Sequence, residues 1–417
     1  MKLKFIQFKA LIALVTGMTG ITNCAERFSG SKLHQAAMLG NSKKIKSLLD
    51  SGADVNFLDA DGRTALDVAV FNNHFLVIEC LIRAKADMRI AGDLHNNNPL
   101  HLASVNGNAA VIKLLLKHAP SDLLDKPDKY GNTPLMMAMG NGNKNLVLDL
   151  LQKGANPRRY NLEGDGLLHS AVMTLGNTEA VEACLEIEGA ACDLNRLNSR
   201  GLSPLDRAIL KNNFPIAKLY LEKGAIVNSL PNVTNSLHRA AATNFSDIHL
   251  MFSANLINSQ DENGCTPLLF AVQNGQAEVV AKLLQAGADC KYINKKQESL
   301  LMAMNHQACL PTTRNIAELL LEAGANLDTA TFTTACKKGN LPLLQAFTSK
   351  RRIPLKMLNW GLTLATDTNN IECAKFLTVQ RDAASILLST EDPEMPELIP
   401  IPARLHGDFA GSASGGF

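Results

Sequence analysis

The sequence predicts an all-α fold built from stacked helical repeats, and two observations support that prediction. A Leu-x-x-Ala step recurs eleven times, with Phe332 once in place of Leu, and successive alanines lie 30 to 37 residues apart. A fixed period in this range is typical of solenoid architectures. Each period also contains apolar residues at helical spacing, separated by turns rich in Gly and Asn. The alanines are Ala36, Ala69, Ala103, Ala138, Ala171, Ala208, Ala240, Ala271, Ala303, Ala335 and Ala365.

Composition agrees with a long array of thin helices. Of the 417 residues 46% are hydrophobic and only 5% are aromatic, so Leu, Ala, Ile and Val supply the core. A solenoid grows by adding repeats, so this length does not require several separate cores. The net charge of +2 gives no strong attraction for nucleic acid or an anionic membrane surface, and no nucleic-acid partner is expected.

The cysteines do not form a metal-binding or disulfide pattern. There are nine, none in Cys-x-x-Cys and none with a histidine at zinc-finger spacing. Cys80 and Cys373 occupy matching places in two apolar helices, where cysteine acts as a small hydrophobic residue. We therefore expect structural cysteines and no metal site.

Residues 1–25 differ from the rest of the chain. Three lysines in the first nine residues precede the apolar run Ala10–Ile21, and small residues follow. This order is typical of a secretory signal peptide, and the run is short for a membrane span. A lipid anchor at Cys24 is a variant of this prediction. The alternatives are an apolar helix that caps the first repeat and a weak membrane anchor.

The fourth repeat shows why each motif residue favours its local structure. Thr133 can cap a helix through its hydroxyl group, and Pro134 suits the first helical position, where its missing N–H is not needed. Leu135 and Ala138 fall on one helical face, and the small Ala lets a neighbouring helix approach. Gly154 ends the second helix by adopting a left-handed conformation. Each repeat is therefore predicted to be two antiparallel helices.

These residues resemble the ankyrin repeat, over about 31–388. The resemblance implies an ankyrin-repeat solenoid of about 10–11 helix-turn-helix units with short β-hairpin loops, assigned here to residues 26–388. Four histidines occupy the histidine position of the family's Thr-Pro-Leu-His motif, where the family uses that residue to support neighbouring loops by hydrogen bonds. Copies about 10 Å apart lie too far from each other to share one metal ion. The four are His34, His101, His169 and His238.

Several repeats depart from the family pattern. The first lacks a normal preceding hairpin, and the seventh lacks Thr-Pro and has a shortened second half through Phe252. The ninth carries an insertion at 306–313. The last two lose most of the hairpin consensus, and Trp360 stands where the capping Thr is expected. The first and last repeats are therefore predicted to be degenerate caps.

Residues 389–417 end the repeat pattern. Prolines alternate with Glu391, Glu394 and Glu397, and the last residues are rich in Gly and Ser. This composition predicts a disordered tail, whose acidic part is alternatively a short linear motif or transport signal.

The sequence favours binding over catalysis. It contains no phosphate-binding loop and no hydrolase, metalloprotease or kinase motif, and the array leaves about 30 residues at each end. No cofactor is expected, and the chain is predicted not to be an enzyme. By the resemblance, hairpin tips and first helices on the concave side bind a protein partner, although each tip residue is alternatively an ordinary turn residue. The tip candidates are Asp61, Arg63, His95, Asn97, Lys129, Tyr130, Asn132, Ser199, Arg200, Glu262 and Asn263.

Two functional hypotheses follow. In the first, the chain is an exported bacterial ankyrin protein, which acts as an interaction scaffold outside the cytoplasm or as an effector on host proteins. In the second, it is a regulator or inhibitor that holds an enzyme of the same cell in its concave groove, which fits a cytoplasmic location. Both predict a monomer that binds a protein, with no membrane contact apart from an N-terminal anchor.

Overall fold

The computed structural model describes residues 32–90, 95–174, 177–188, 193–227, 234–306 and 312–388. The predicted signal segment with Cys24, part of the insertion in the ninth repeat, and the tail from residue 389 lie outside the described residues. The chain divides into two compact units, Met1–Ile226 and Val227–Phe417, called here the N-terminal unit and the C-terminal unit.

The described residues form twenty-two α-helices in eleven consecutive pairs, one pair for each Leu-x-x-Ala step. The N-terminal unit contains six pairs: α1 (Lys32–Met38) and α2 (Ser42–Asp50), α3 (Ala65–Phe71) and α4 (Phe75–Arg83), α5 (Pro99–Asn106) and α6 (Ala109–His118), α7 (Pro134–Gly140) and α8 (Lys144–Gln152), α9 (Leu167–Ser170) and α10 (Thr178–Glu188), and α11 (Pro204–Leu210) and α12 (Phe214–Glu222). The C-terminal unit contains five: α13 (Ser236–Ala241) and α14 (Ala254–Ile257), α15 (Pro267–Gln273) and α16 (Ala277–Gln285), α17 (Leu300–Ala303) and α18 (Thr313–Glu322), α19 (Thr329–Lys338) and α20 (Leu341–Lys350), and α21 (Leu355–Asp367) and α22 (Ile371–Leu388).

Within each unit the helices form two layers. Odd-numbered helices contact the next odd-numbered helix, and even-numbered helices contact the next even-numbered one. In the seventh repeat a 3₁₀ segment, Ile248–Met251, packs against α16 in place of a full second helix. The all-α repeat solenoid predicted from the sequence is therefore confirmed, including the shortened second half of the seventh repeat.

The core lies between the two layers. The motif leucines and alanines are buried apart from the half-buried Leu362, with Leu135 1% exposed and Ala138 fully buried. Second helices contribute aliphatic side chains at i, i+1 and i+4, such as Leu146, Val147 and Leu150 in α8. Among the described residues, no helix combines the length and apolar character that crossing a membrane requires.

The connections between repeats are tight turns without strands in the described residues. In the fourth repeat Asp128 N–H donates to Asn132 O at 2.8 Å, and the Asp128 carboxylate accepts from the N–H groups of Tyr130 and Asn132 at 2.8 Å. The same side-chain cap recurs at Asp59, Asn161, Asn198, Asp261 and Asn294. One isolated β-bridge joins Ile293 and Ser299. The expected β-hairpins are thus present as turns too short to count as strands.

The motif histidines link each repeat to the next. In all four, Nε2 faces a backbone carbonyl of the following turn: His34 meets Arg63 O at 2.8 Å, and the other three lie at 2.9–3.0 Å from Asn132, Leu202 and Cys265. In His101 and His169 Nδ1 also accepts a backbone N–H at the start of its own helix. In His238 Nδ1 lies 2.7 Å from Asn235 Oδ1 and 3.4 Å from Asn235 N. The ring therefore donates through Nε2 while it is neutral, and the structural role implied by the resemblance is confirmed.

One helix boundary differs from the sequence pattern. Trp360 occupies the motif position of the capping Thr, but α21 begins five residues earlier at Leu355, after Pro354. Trp360 consequently lies inside the helix, and 53% of it is exposed. The first helix of the eleventh repeat is therefore thirteen residues long.

Candidate protein-binding surface

Two predicted tip residues, His95 and Tyr130, stack on each other. Their ring centres are 5.8 Å apart with planes at 25°, and Tyr130 Oη lies 3.4 Å from His95 Nδ1. Lys129 Nζ lies 5.3 Å from the centre of the Tyr130 ring, within the range of a cation–π contact. The structure therefore brings three of the candidates together in one exposed cluster.

Backbone hydrogen bonds fix the spacing between successive tips. Lys129 N–H donates to His95 O at 2.8 Å, and Leu162 N–H donates to Tyr130 O at 2.9 Å. Ser199 N–H donates to Glu163 O at 2.9 Å, and Lys295 N–H donates to Asn263 O at 3.3 Å. Each tip is thus held by its neighbour, which reduces the entropy that a bound partner would have to remove.

The remaining exposed tip candidates are polar. Ser199 Oγ donates to Glu163 O at 2.6 Å, and Arg200 Nη2 lies 3.3 Å from Glu163 Oε2. This ion pair is largely exposed, so its contribution to stability is small and Arg200 remains accessible to a partner. Glu262 and Asn263 are exposed at the tip of the eighth repeat.

Three candidates occupy the position just before the helix cap, and the structure places them against the array. Arg63 pairs with Asp59 and Asp61, and only 14% of its side chain is exposed. Asn132 Nδ2 donates to Asp128 Oδ2 at 3.2 Å, and its Oδ1 accepts from Asn161 Nδ2 at 2.9 Å. Asn97 is 4% exposed, so its burial contradicts an exposed binding role.

The structure also reveals a row of apolar residues that the sequence analysis, which considered only the hairpin tips, did not identify. In the N-terminal unit, the residue two places after each motif alanine lies in the last turn of the first helical segment and is exposed or half-buried. Three of these are clearly exposed: Phe71 at 38%, Met173 at 55% and Leu210 at 51%. The others are half-buried, and the full set, called here the apolar row, is Met38, Phe71, Val105, Gly140, Met173 and Leu210.

Two members of the apolar row, Gly140 and Met173, lie next to each other, and the same motif position is mostly polar in the C-terminal unit. A Cβ placed on Gly140 would lie 3.9 Å from Cβ and Cγ of Met173, so Met173 covers the space that Gly140 leaves. The same motif position in the C-terminal unit holds Ala242, Gln273, Asn305, Lys337 and Asp367. Counting two residues past each motif alanine would have found this difference from the sequence.

A charged group lies beside the apolar row. Arg207 Nη2 lies 3.8 Å from Met173 Sδ, and the guanidinium pairs with Asp165, whose side chain is 3% exposed. Asp165 also accepts from Asn198 Nδ2 at 2.8 Å. Burial lowers the pKa of Arg207, and the negative charge of Glu163 opposes that shift. The guanidinium group still carries its charge, because arginine is not deprotonated in proteins. The row therefore has one fixed polar neighbour near its C-terminal end.

The described residues offer no clear catalytic or metal-binding arrangement. They contain no group of three or more His, Cys, Asp or Glu side chains that could hold a metal ion. The six described cysteines are free thiols, and burial raises the pKa of Cys336 to about 12, which disfavours a reactive thiolate. A shallow pocket beside His169 is bordered by Tyr160, whose ring lies 3.7 Å from the Arg196 guanidinium carbon.

Comparison with known families supports the repeat assignment. A family model described as ankyrin repeats in three copies matches residues 8–91, 33–123, 77–161 and 141–230. The single ankyrin-repeat model matches residues 263–295. Together these matches cover more than half of the chain.

Similar proteins carry the same repeats within longer chains. The chain is 38% identical over 96 residues to the E3 ubiquitin-protein ligase XBAT33 of Arabidopsis thaliana, covering 23% of this chain and 19% of that protein. It is 27% identical over 315 residues to human transient receptor potential cation channel subfamily A member 1, covering 71% and 27%. It is 24% identical over 221 residues to the chicken nuclear factor NF-kappa-B p105 subunit, covering 51% and 22%. The chain thus spans about a fifth to a quarter of the length of these relatives.

Proposed function

Because the chain belongs to the ankyrin repeat family, we propose that it is a non-catalytic protein-interaction scaffold whose N-terminal unit binds an apolar segment of a protein partner. The observation that carries this proposal is the apolar row, in which Phe71, Met173 and Leu210 are exposed at one motif position of the second, fifth and sixth repeats. Exposure of a patch of apolar side chains to water is unfavourable in free energy, and such patches commonly mark interaction sites.

The hairpin tips supply a polar border for this surface. Tyr130 and Arg200 are residue types that often dominate binding energy, and both are exposed. An apolar centre with a polar border is the usual composition of a protein interface. We expect the apolar row to set affinity and the tips to discriminate between partners.

A selection from a random peptide library on the immobilised full chain tests the proposal. Peptides rich in apolar residues should be enriched, and the double variant M173D/L210D should lose them. The control is Q273D, which places one aspartate at the same motif position of the C-terminal unit and should retain binding. Equal binding by M173D/L210D, with an unchanged thermal melt, would contradict the proposal.

The contribution of the tips is tested separately. Tyr130→Ala and Arg200→Ala should weaken binding of the selected peptides, because each removes an exposed side chain of a type that anchors interfaces. Fluorescence anisotropy measures the binding of the selected peptides. Unchanged affinity in both variants would show that these two tip residues do not contribute to binding.

The proposed cellular setting of this scaffold is outside the cytoplasm, as an exported bacterial protein that engages host proteins. Its support is the basic start and apolar run within residues 1–25. Fusing residues 1–30 to a reporter tests export, with a Cys24→Ser version to detect lipidation. A reporter that stays in the cytoplasm would contradict export and favour the alternative of a cytoplasmic protein.

The alternative function is a regulator or inhibitor that holds an enzyme of the same cell on the apolar row. Affinity purification with mass spectrometry distinguishes the two functions. The exported scaffold should capture a host protein, whereas the regulator should capture an enzyme of the producing cell. Loss of the captured protein in M173D/L210D, with retention in Q273D, ties either result to the apolar row.

A further inference from the structure

A basic cluster lies at the connection between α20 and α21. It consists of Lys350, Arg351, Arg352 and Lys356, and all four are exposed. Lys350 Nζ lies 2.5 Å from Glu322 Oε1. Among the described residues, Arg351 and Lys356 form no ion pair with an acidic group. The cluster therefore holds more positive charge than the described residues around it neutralise.

The charge of the last two repeats is opposite to that of the chain that follows them. Residues 329–388 contain eight Lys or Arg and three Asp or Glu, a net charge of +5. Residues 389–397 contain four acidic residues and no Lys or Arg. These four, Glu391, Asp392, Glu394 and Glu397, are called here the acidic segment.

The helix layer places the end of α22 on the side of the layer where the basic cluster lies. α20 and α22 contact each other and occupy equivalent places in successive repeats, so they run in the same direction. α20 ends at Lys350 after ten residues, whereas α22 has eighteen and ends at Leu388. Eight further residues extend α22 by about 12 Å beyond the level of Lys350. The chain therefore leaves α22 at the same end of the layer as the cluster.

The connection is long enough for contact. Six residues separate Leu388 from Glu394, and they reach at most about 20 Å when extended. Pro393 and Pro396 disfavour a continued helix, which would carry the acidic residues away from the array. A short tether also gives an effective concentration in the range of about 1 mM, which favours this segment over a separate anionic partner.

We propose that the acidic segment of this chain binds the basic cluster of the same chain and blocks that surface to other anionic partners. The contact pairs the carboxylates of Glu391–Glu397 with the charged groups of Arg351, Arg352 and Lys356. An acidic protein would then have to displace the segment before it could bind there.

The single tryptophan of the chain reports on this contact. Trp360 is 53% exposed and lies four residues after Lys356 on α21, so the two side chains share a helical face. Acrylamide quenching of the full chain should increase when the acidic segment is neutralised as E391Q/D392N/E394Q/E397Q. The difference should vanish at about 0.5 M NaCl, which screens exposed charges. As a charge-matched control, D50N/E182Q/E222Q/E262Q should leave quenching unchanged.

A charge exchange makes the test specific. R351E/R352E/K356E should raise quenching as the neutralised segment does, and combining it with lysines at 391, 392, 394 and 397 should restore the original value. Identical quenching of the neutralised and original chains, or no restoration by the exchange, would overturn the proposal. Quenching that depends on protein concentration would assign the cluster to the segment of a second copy and would also overturn it.

Discussion

Four buried histidines connect successive repeats through one ring nitrogen each. In His169 and His238 the Nε2–H group donates to a carbonyl of the next turn. In His169 Nδ1 also accepts the Gly166 N–H, which only the neutral ring can do. Burial lowers the pKa of both histidines below the ordinary value of 6.5. Protonation would place a charge in the core at both residues, and in His169 it would remove the acceptor of the Gly166 N–H.

This arrangement predicts a dependence of stability on pH. Because the pKa of His169 and His238 is lower in the folded chain, the unfolded chain binds more protons between the two pKa values. The stabilisation is therefore complete above about pH 6.5 and is lost as the pH falls below it. Urea midpoints should be lower at acid pH, and H169Q/H238Q should reduce that dependence. His118→Gln, at an exposed position, is the control, and an undiminished slope in the double variant would contradict the prediction.

Burial also predicts different effects on stability for Leu135 and Lys129, which lie close together in the fourth repeat. Leu135→Ala should cost about 2–5 kcal/mol of unfolding free energy, as expected for a large-to-small change in a core. Lys129→Ala should cost less than about 1 kcal/mol, because its cation–π contact is exposed. Chemical denaturation measures both, with Leu268→Ala as a second buried example. Equal losses for Leu135 and Lys129 would mean that the faces are assigned incorrectly.

At the scale of the element, packing between turns depends on a glycine. Gly131 has φ +84°, and an added Cβ would lie 2.7 Å from Leu162 N and 2.9 Å from Asn161 Cα. Gly154 has φ +93° and no heavy atom within 4 Å of such a Cβ. Both alanine variants adopt a disfavoured left-handed conformation. Gly131→Ala should also disturb the Leu162–Tyr130 hydrogen bond and cost about 1 kcal/mol more.

Urea denaturation of the two glycine variants measures that difference. Gly154→Ala is the matched control, because it has a positive φ but no neighbouring turn. If the two variants lose the same free energy, contact between successive turns does not contribute to stability.

The helix pairs were predictable from sequence because their causes are local. Caps such as Thr133, the motif Leu and Ala, and left-handed glycines all act within one repeat, and the structure has them as expected. The early start of α21 was not predictable from motif register, because Pro354 opens a longer helix where the hairpin consensus is lost. Local sequence thus sets the elements where the consensus is strong.

The binding surface was less predictable, because it depends on which side chains neighbouring repeats cover. The position before the helix cap looks like part of an exposed turn, but Asn97 is buried and Asn132 bonds to the next turn. Conversely, Met173 and Leu210 look like core residues of apolar helices, yet more than half of each is exposed. Only the stacking of helices distinguishes the two cases.

At the scale of the whole molecule, the division into two units predicts unequal responses to a core defect. Repeats contact only their neighbours, so a local defect need not destabilise every repeat equally. Leu135→Ala lies in the N-terminal unit, whereas Trp360 lies in the C-terminal unit. The urea midpoint measured by far-UV circular dichroism should fall more than the midpoint measured by Trp360 fluorescence.

A defect in the other unit provides the comparison. Leu320 is fully buried in α18, and Leu320→Ala should lower the midpoint of the Trp360 transition directly. Equal shifts of both signals in Leu135→Ala would show that the array unfolds as one cooperative block.

The regular stacking of first helices also limits the periodicity of any ligand on the apolar row. Packed helices lie about 8–10 Å apart, so one row residue is available at each such interval. An extended ligand rises about 3.3 Å per residue and would meet successive row residues at every third position. A helical ligand rises about 1.5 Å per residue and would do so roughly once per heptad. An extended peptide whose apolar residues alternate strictly would therefore present a polar residue to every second member of the row.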